Sequence, residues 1–406
     1  MNILFLGGHF TSKVEKEILD NSNDVVQYAA NKFQMNLLQG FSEIPNVHVT
    51  SISAPFIGAY PQGYKTLYYK PTVTHDELYK MPIRYVSFNN LWGYKTISRK
   101  FKLIRKTTKV FMEDGPYDVI MVYSPHTPFM EAALQAKKKT SAHICLVVPD
   151  LPQYMNLSEN KSKIYELFKS IDIKKFEELN KYVDSFVLLT EAMKDALSIG
   201  NRPYTVIEGI VNSTEISRPE PKTCNNKIIL YTGTLNKKFG IVNLVDAFSL
   251  IEDENIELKI CGRGDSEDYI KELASKDSRI KFLGQVTNQE AVKLQQEATI
   301  LVNPRQNNEE YTKYSFPSKN MEYLLTGKPV IAYKLDGIPD EYNEYFYYVK
   351  DDSARALKEK IVEVINMPFP HQLKTGMEAQ NFVLQKKNPK ASSNKIIKMI
   401  SYVQRK

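Results

Sequence analysis

Three cysteines in 406 residues, Cys145, Cys224 and Cys261, lie too far apart to suggest a disulfide framework or a spaced metal site. Two of them sit in apolar, strand-like runs, so the chain reads as reduced and intracellular. No apolar run approaches the roughly 18 residues that a membrane-spanning helix needs. The opening stretch, "MNILFLGGHF", has no basic region ahead of a longer apolar core, and no signal peptide is expected. Low-complexity segments are lacking, and a composition of 42% apolar and 25% charged residues excludes wholesale disorder. A dominant charge is lacking as well: a net +7 permits an anionic partner without identifying one.

What is present is an alternation of short β-rich runs with helical periods. Strands are read at 3–8, 47–53, 118–124, 143–150, 185–190 and 204–210, then at 227–233, 256–262, 280–286, 299–305, 329–333 and 345–349. Several are nearly continuous apolar runs, as parallel strands covered on both faces require. Segments such as "NLVDAFSLIED" and "NQEAVKLQQEA" carry the helical period between them. The expected fold class is α/β, with two doubly wound, Rossmann-like sheets. The Pro-, Asn- and Ser-rich stretch "NSTEISRPEPKTCNNK" (212–227) separates them, giving domains at 1–211 and 212–380 and a final helical segment at 381–406. Open α/β sheets bind ligands beyond the carboxyl ends of their strands. Two facing sheets would border one cleft.

Four strand ends carry unusual residues. "LGGHF" places Gly7, Gly8 and His9 after the first strand, but Thr11 stands where a dinucleotide fingerprint needs its third glycine. A plain tight turn explains the pair equally well. "VYSPHTP" brackets His126 between Pro125 and Pro128; a lone histidine at such a place is more often structural than functional. "YTGTLNKKFGIVNLVDAF" sets Gly233, Lys237, Lys238 and Gly240 ahead of a helix, which suits an anion or, equally, a solvated lysine pair. In "YSFPSKNMEYLLTGKPVIAY" (314–333), Pro317 fits a first helical turn and Ser315 or Ser318 can cap it. The free amides and Lys319 then favour a negative group, while Glu322, about one turn along, can accept two hydroxyls. A diphosphate and a ribose match that pair of ends. A cap common to any βα unit is the plainer reading.

Together these residues resemble the retaining glycosyltransferases of the GT-B fold, in particular glycosyltransferase family four, whose members include builders of bacterial polysaccharides and glycolipids. The resemblance spans most of the chain and is strongest from 227 to 335, where "YTGTLNKKFGI", "LKICGRGD", "RIKFLGQV", "ILVNPR" and "FPSKNMEYLLTGKPVIA" follow the family's order. It implies transfer of a hexose from a nucleotide-diphosphate sugar, with a UDP-sugar expected, to a polysaccharide, glycan or lipid-linked acceptor. It implies a donor held by the C-terminal domain, an acceptor held by the N-terminal domain, and a last helix crossing back to the latter. By position, Glu322 matches the glutamate on the ribose hydroxyls, and Ser318 and Lys319 match the diphosphate contacts. Gly233 matches the strand glycine and Thr234 the position after it; Gly284, Gln285 and Val286 match the segment beside the base. Gly8 matches the N-terminal glycine near the phosphates, and His126 the histidine near the donor sugar. Two positions depart from the pattern. The first glutamate falls on Tyr314, with Glu309 or Glu310 as possible replacements, and the basic positions fall on Thr234 and Phe239, with Lys238 as substitute. No Asp-x-Asp triplet occurs, so no metal and no other cofactor is expected. The alternatives are a GT-B partner subunit without turnover or, against the missing glycine, a dinucleotide oxidoreductase.

The segment "LWGYKTISRKFKLIRKTTKVFM" (91–112) has seven cations and no acid. Read as a helix, Lys95, Arg99, Lys102, Lys106 and Lys109 share one side, and Ile97, Phe101, Ile104, Thr108 and Phe111 the other. The expectation is a sheet-packing helix with a solvated basic face, which could also dock on an anionic membrane carrying the acceptor. Nucleic acid is not expected, since no binding motif accompanies the charge. A cytoplasmic protein, peripheral on the inner face of the membrane, follows from these expectations.

Overall fold

A computed structural model describes residues 1–24, 26–154, 163–212 and 227–404. The Pro- and Asn-rich separator, with Cys224, lies almost wholly outside them. The chain divides into two compact units, Met1–Ile210 with Pro389–Lys406, and Val211–Asn388.

The first unit holds an eight-stranded sheet in the order Tyr204–Val206, Ser185–Leu188, His143–Val148, Val119–Tyr123, Asn2–Gly7, His48–Ser53, Met81–Tyr85, His75–Leu78. All pairings are parallel except the last. The six strands expected from apolar runs are all there. The two outer ones were illegible because their signals are weak. "HDEL" has no apolar run, and the two-residue turn joining it to Met81–Tyr85 is Tyr79-Lys80, both at positive φ (52° and 60°), without the Asn-Gly pair such turns favour. The central strands Val119–Tyr123 and His143–Val148 are buried at every position. One face of the sheet carries helix Tyr28–Ser42, whose Leu37, Leu38 and Phe41 pack with Ile3, Phe5, Val49 and Met121. The final helix, Pro389–Gln404, closes this layer with Ile396 and Ile400. Gly40 permits that contact, because a Cβ there would stand 2.0 Å from the carbonyl of Pro389. The sequence put the start of this returning segment at 381. In the structure helix Phe369–Lys386 stays with the second unit, Gly376 against the carbonyl of Gly327, and the change of unit comes at Pro389.

The second unit is a six-stranded, all-parallel sheet in the order Ile280–Gly284, Ile256–Cys261, Lys227–Thr232, Ile300–Asn303, Val330–Ala332, Tyr347–Tyr348. These are the six strands the sequence predicts, the first three in chain order trimmed at the carboxyl end and the other three at both ends. Helix Ser318–Leu325 is pinned to the sheet by Tyr323, which is fully buried. Its hydroxyl accepts from the Thr232 amide (2.9 Å) and donates to the Thr232 carbonyl (3.2 Å). Tyr323→Phe deprives a buried amide of that acceptor and is expected to cost about 1–3 kcal/mol, read as a lower urea midpoint at unchanged slope. An unchanged midpoint would show that the helix is held by packing alone.

Candidate functional site

In the second sheet the chain runs outward from Lys227–Thr232 on one side and from Ile300–Asn303 on the other. That reversal leaves a crevice at the carboxyl ends of these two strands, where doubly wound sheets bind ligands. Gly240 sits there in the left-handed region (φ +79°), and a Cβ would stand 1.9 Å from the carbonyl of Pro304. Only glycine lets the loop after the first strand close on the loop after the second.

Two cations share the ring of Phe239, the residue found where the family pattern calls for a basic one. Lys238 Nζ is 5.5 Å from its centroid and the Arg305 guanidinium carbon 5.3 Å. Arg305 also lies 4.9 Å from the Tyr311 centroid and donates to Ser315 Oγ (3.0 Å). Its Nε is buried with no partner, and burial pulls its pKa below the ordinary guanidinium value. Arg305 was missed as a site residue. Its signal in the sequence is an arginine two residues past a buried strand, in "ILVNPR".

Helix Ser318–Leu325 begins beside this cluster. Pro317 is its N-cap, at φ −63° and ψ 115°, not a residue of the first turn. No side chain caps the helix, which corrects the expected capping by Ser315 or Ser318: Ser315 is engaged by Arg305, and Ser318 is the first helical residue. The first amides are thus left for an outside acceptor. Lys319 and Glu322 are brought together, Nζ to Oε2 at 2.6 Å with each side chain about one-third exposed (33% and 34%). The charges intended for phosphate and ribose neutralise each other in this state. Thr234 is exposed, and its carbonyl accepts from the Tyr231 hydroxyl (2.8 Å). Gly233 lies at the strand end. Gly284 (φ +66°) accepts from the Gly262 amide (2.8 Å), and exposed Gln285 and half-buried Val286 lead into helix Asn288–Glu297. Tyr314 ends a short turn of 3-10 helix, Glu310–Tyr314. Glu310 is exposed and paired with Lys313 (3.1 Å), and Glu309 is exposed.

The first sheet reverses between Asn2–Gly7 and Val119–Tyr123, so the loops carrying Gly8 and His126 meet at its crevice. A Cβ on Gly8 would stand 2.4 Å from the Phe56 ring, and the Gly8 amide donates to Gln34 Oε1 (2.9 Å). The glycine is therefore explained by packing, and its amide is already used. His9 is fully buried on Ser51 Oγ (2.9 Å), with its pKa lowered to about 3 by burial. It is neutral and structural. His126 lies against Phe56 and Phe129, with ring centroids 5.9 and 5.2 Å away. Its Nδ1 is buried without a partner, and burial first, then Arg99 and Lys95, hold it well below the usual histidine pKa.

Helix Lys95–Asp114 overturns the expected faces. Arg99 is buried (3% exposed), and Lys95 and Lys106 are half-buried, so of the five predicted cations Lys102 and Lys109 are exposed. Conversely, Ile97 and Phe101 are 47% and 63% exposed rather than packed inward. The reason lies at the end of the neighbouring strand. The carbonyls of Ala54, Pro55 and Ile57 need donors, and the helix turns its cations inward to supply them. Lys95 donates to the carbonyl of Ile57, and Arg99 to those of Ala54 (2.6 Å) and Pro55. Burial accordingly lowers Lys95 to about 6 and Arg99 to about 9.

This architecture is the GT-B fold. The chain is similar in structure to sucrose-phosphate synthase from Thermosynechococcus elongatus, at a TM-score of 0.64 and 14% identity over 99% of both chains. It is also similar to Anabaena HepE in complex with UDP-glucose, at a TM-score of 0.58 and 18% identity over 99% of this chain and 100% of that one. In sequence, residues 212–382 match the family Glycosyl transferases group 1. An uncharacterized glycosyltransferase of Methanocaldococcus jannaschii is 28% identical over 140 residues, which is 32% of this chain and 34% of that protein. The chain thus matches about a third of that relative's length.

Proposed function

We propose that the protein is a retaining glycosyltransferase that moves a hexose from a UDP-sugar to a glycan or lipid-linked acceptor, without a metal. The observation that carries the reading is the crevice of the second unit. Its loops carry Lys238 and Arg305 on the Phe239 ring, and the uncapped start of helix Ser318–Leu325 carries Lys319 with Glu322 one turn along. A diphosphate on the amides of Ser318 and Lys319 would draw Lys319 toward it and release Glu322 to the ribose hydroxyls. The leaving group's developing charge would meet fixed donors, and a unit pair at 4 Å is worth about 4 kcal/mol at an effective dielectric near 20. Arg305 supplies the charge that Thr234 does not. Gln285 and Val286 would lie by the base, and His126 by the donor sugar.

Turnover on a panel of nucleotide sugars tests the reading. Hydrolysis or transfer from a UDP-hexose supports it. Tight UDP binding with no turnover on any sugar would favour a partner subunit, for which Tyr314 in place of a carboxylate is the specific support.

The membrane partner is proposed with a revised set that keeps only Lys102 of the cations first placed there. Among the described residues no helix is long and apolar enough to cross a bilayer. Trp92, Ile97 and Phe101, together with the exposed Arg105 and Lys102, form an apolar and basic face on and before helix Lys95–Asp114. Phe101→Ser is expected to cut sedimentation with vesicles rich in phosphatidylglycerol about tenfold and to leave UDP binding unchanged. Equal sedimentation of both forms would remove this partner.

A further inference from the structure

The crevice of the first unit opens into a cavity of about 430 Å³ lined by Phe56, Gly58, Arg99, Tyr123, His126 and Asp150, among others. Its volume falls within the range of small-ligand sites. Its charge arrangement is unusual. Arg99, almost fully buried, lines the wall and has Lys95 as a neighbouring cation. Among the described residues neither forms an ion pair; Asp24 attracts Lys95 without pairing with it, no carboxylate stands against Arg99, and both cations spend donors on backbone carbonyls. The guanidinium rests on Phe88 (4.6 Å) and Phe56 (5.8 Å), and its Nε has no hydrogen-bond partner. His126 Nδ1, on the same wall, is also buried and unpartnered. Asp24 and Asp150 line the cavity too, and burial pushes the Asp150 carboxyl up to about 6.

A buried cation without an opposite charge is costly to keep. Carbonyl oxygens satisfy donors but do not cancel charge. A ligand that brings an anion to Arg99 would do so, and its hydroxyls could reach Asp24 and Asp150.

We propose that this cavity takes the acceptor, and that the acceptor is a hydroxylated molecule bearing an anionic group, phosphate or carboxylate, which sits against Arg99. The inference rests on the glycosyltransferase reading for the word acceptor; the anion site itself does not depend on it. The group cannot be the donor's diphosphate under that reading, since the diphosphate is assigned to Ser318 and Lys319 of the other unit.

The test is calorimetric binding to the full chain, with glucose 6-phosphate, glucuronate, glucose and inorganic phosphate as probes. At least one anionic sugar is expected to bind at least about tenfold more tightly than glucose, a difference of about 1.4 kcal/mol. Which of the two anions wins identifies the group. Arg99→Met should abolish the preference, and Arg99→Lys, which keeps the charge, should retain part of it. Lys95→Met, which removes a half-buried cation and leaves Arg99 in place, should weaken the preference without unfolding the chain. Equal binding of glucose and both anionic sugars, no binding of any, or an anion preference that survives Arg99→Met overturns the proposal. UDP binding, measured in the same samples, separates the two ideas. If UDP binds and the anions do not, only the acceptor inference fails. If anions bind at Arg99 and UDP binds nowhere, the glycosyltransferase reading fails and the acceptor role falls with it.

Discussion

Glu322→Ala is expected to weaken UDP binding by about 10–100-fold, the worth of one or two hydrogen bonds to a carboxylate. Glu322 Oε2 is held by Lys319 at 2.6 Å, and the pair is only a third exposed, so the carboxylate is positioned before any ligand arrives. Because alanine also releases Lys319 toward the diphosphate, part of the loss is masked, and the affinity change alone is ambiguous. A double cycle with 2′-deoxy-UDP resolves it. The wild-type protein should discriminate against the deoxy ligand by about tenfold or more, and Glu322→Ala should bind both ligands alike. Discrimination that persists in the variant would place the ribose elsewhere.

His126→Ala is expected to lower kcat by about 100-fold while donor KM changes by less than about threefold, as for loss of one preorganised polar group. The ring is kept neutral by its desolvated position and by the two cations behind it, and its buried Nδ1 has no protein partner. It can therefore exchange a hydrogen bond with a sugar hydroxyl but cannot serve as a cation. The sign follows for pH. A histidine pKa held far below the ordinary value of about 6.5 leaves the ring uncharged across the neutral range, so this group should put no acid limb on kcat between about pH 6 and pH 8. His126→Asn should recover part of the rate. Equal loss in both variants, or a matching rise in KM, would make the residue structural.

Legibility followed burial. The twelve strands expected from the sequence are all found: the central ones, such as Val119–Tyr123, His143–Val148 and Ile300–Asn303, are apolar at nearly every position because both faces are covered, while outer ones such as Ile280–Gly284 are covered only at alternate residues. His75–Leu78 escaped because an outermost strand can be polar, and its turn used Tyr79 and Lys80 instead of a telling pair. In the helix Lys95–Asp114 the period was legible but its phase was not. Charge was taken to mark the wet side, whereas Lys95 and Arg99 point to the backbone carbonyls of a neighbouring loop. Such a demand comes from tertiary structure and leaves no trace in local spacing. The same holds for Arg305, whose value lies in meeting Phe239 and Ser315 from another loop. Helix Ser318–Leu325 was legible as an element, but its cap was not, because Pro317 took the N-cap and Ser315 found a guanidinium.

A crystal structure of the full chain with UDP is the most direct check. The account predicts the two phosphates against the amides of Ser318 and Lys319, with Arg305 or Lys238 on their oxygens and the Glu322 carboxylate on both ribose hydroxyls. Density for the nucleotide at any other place, or a Glu322–Lys319 pair left intact beside a bound ribose, would contradict it.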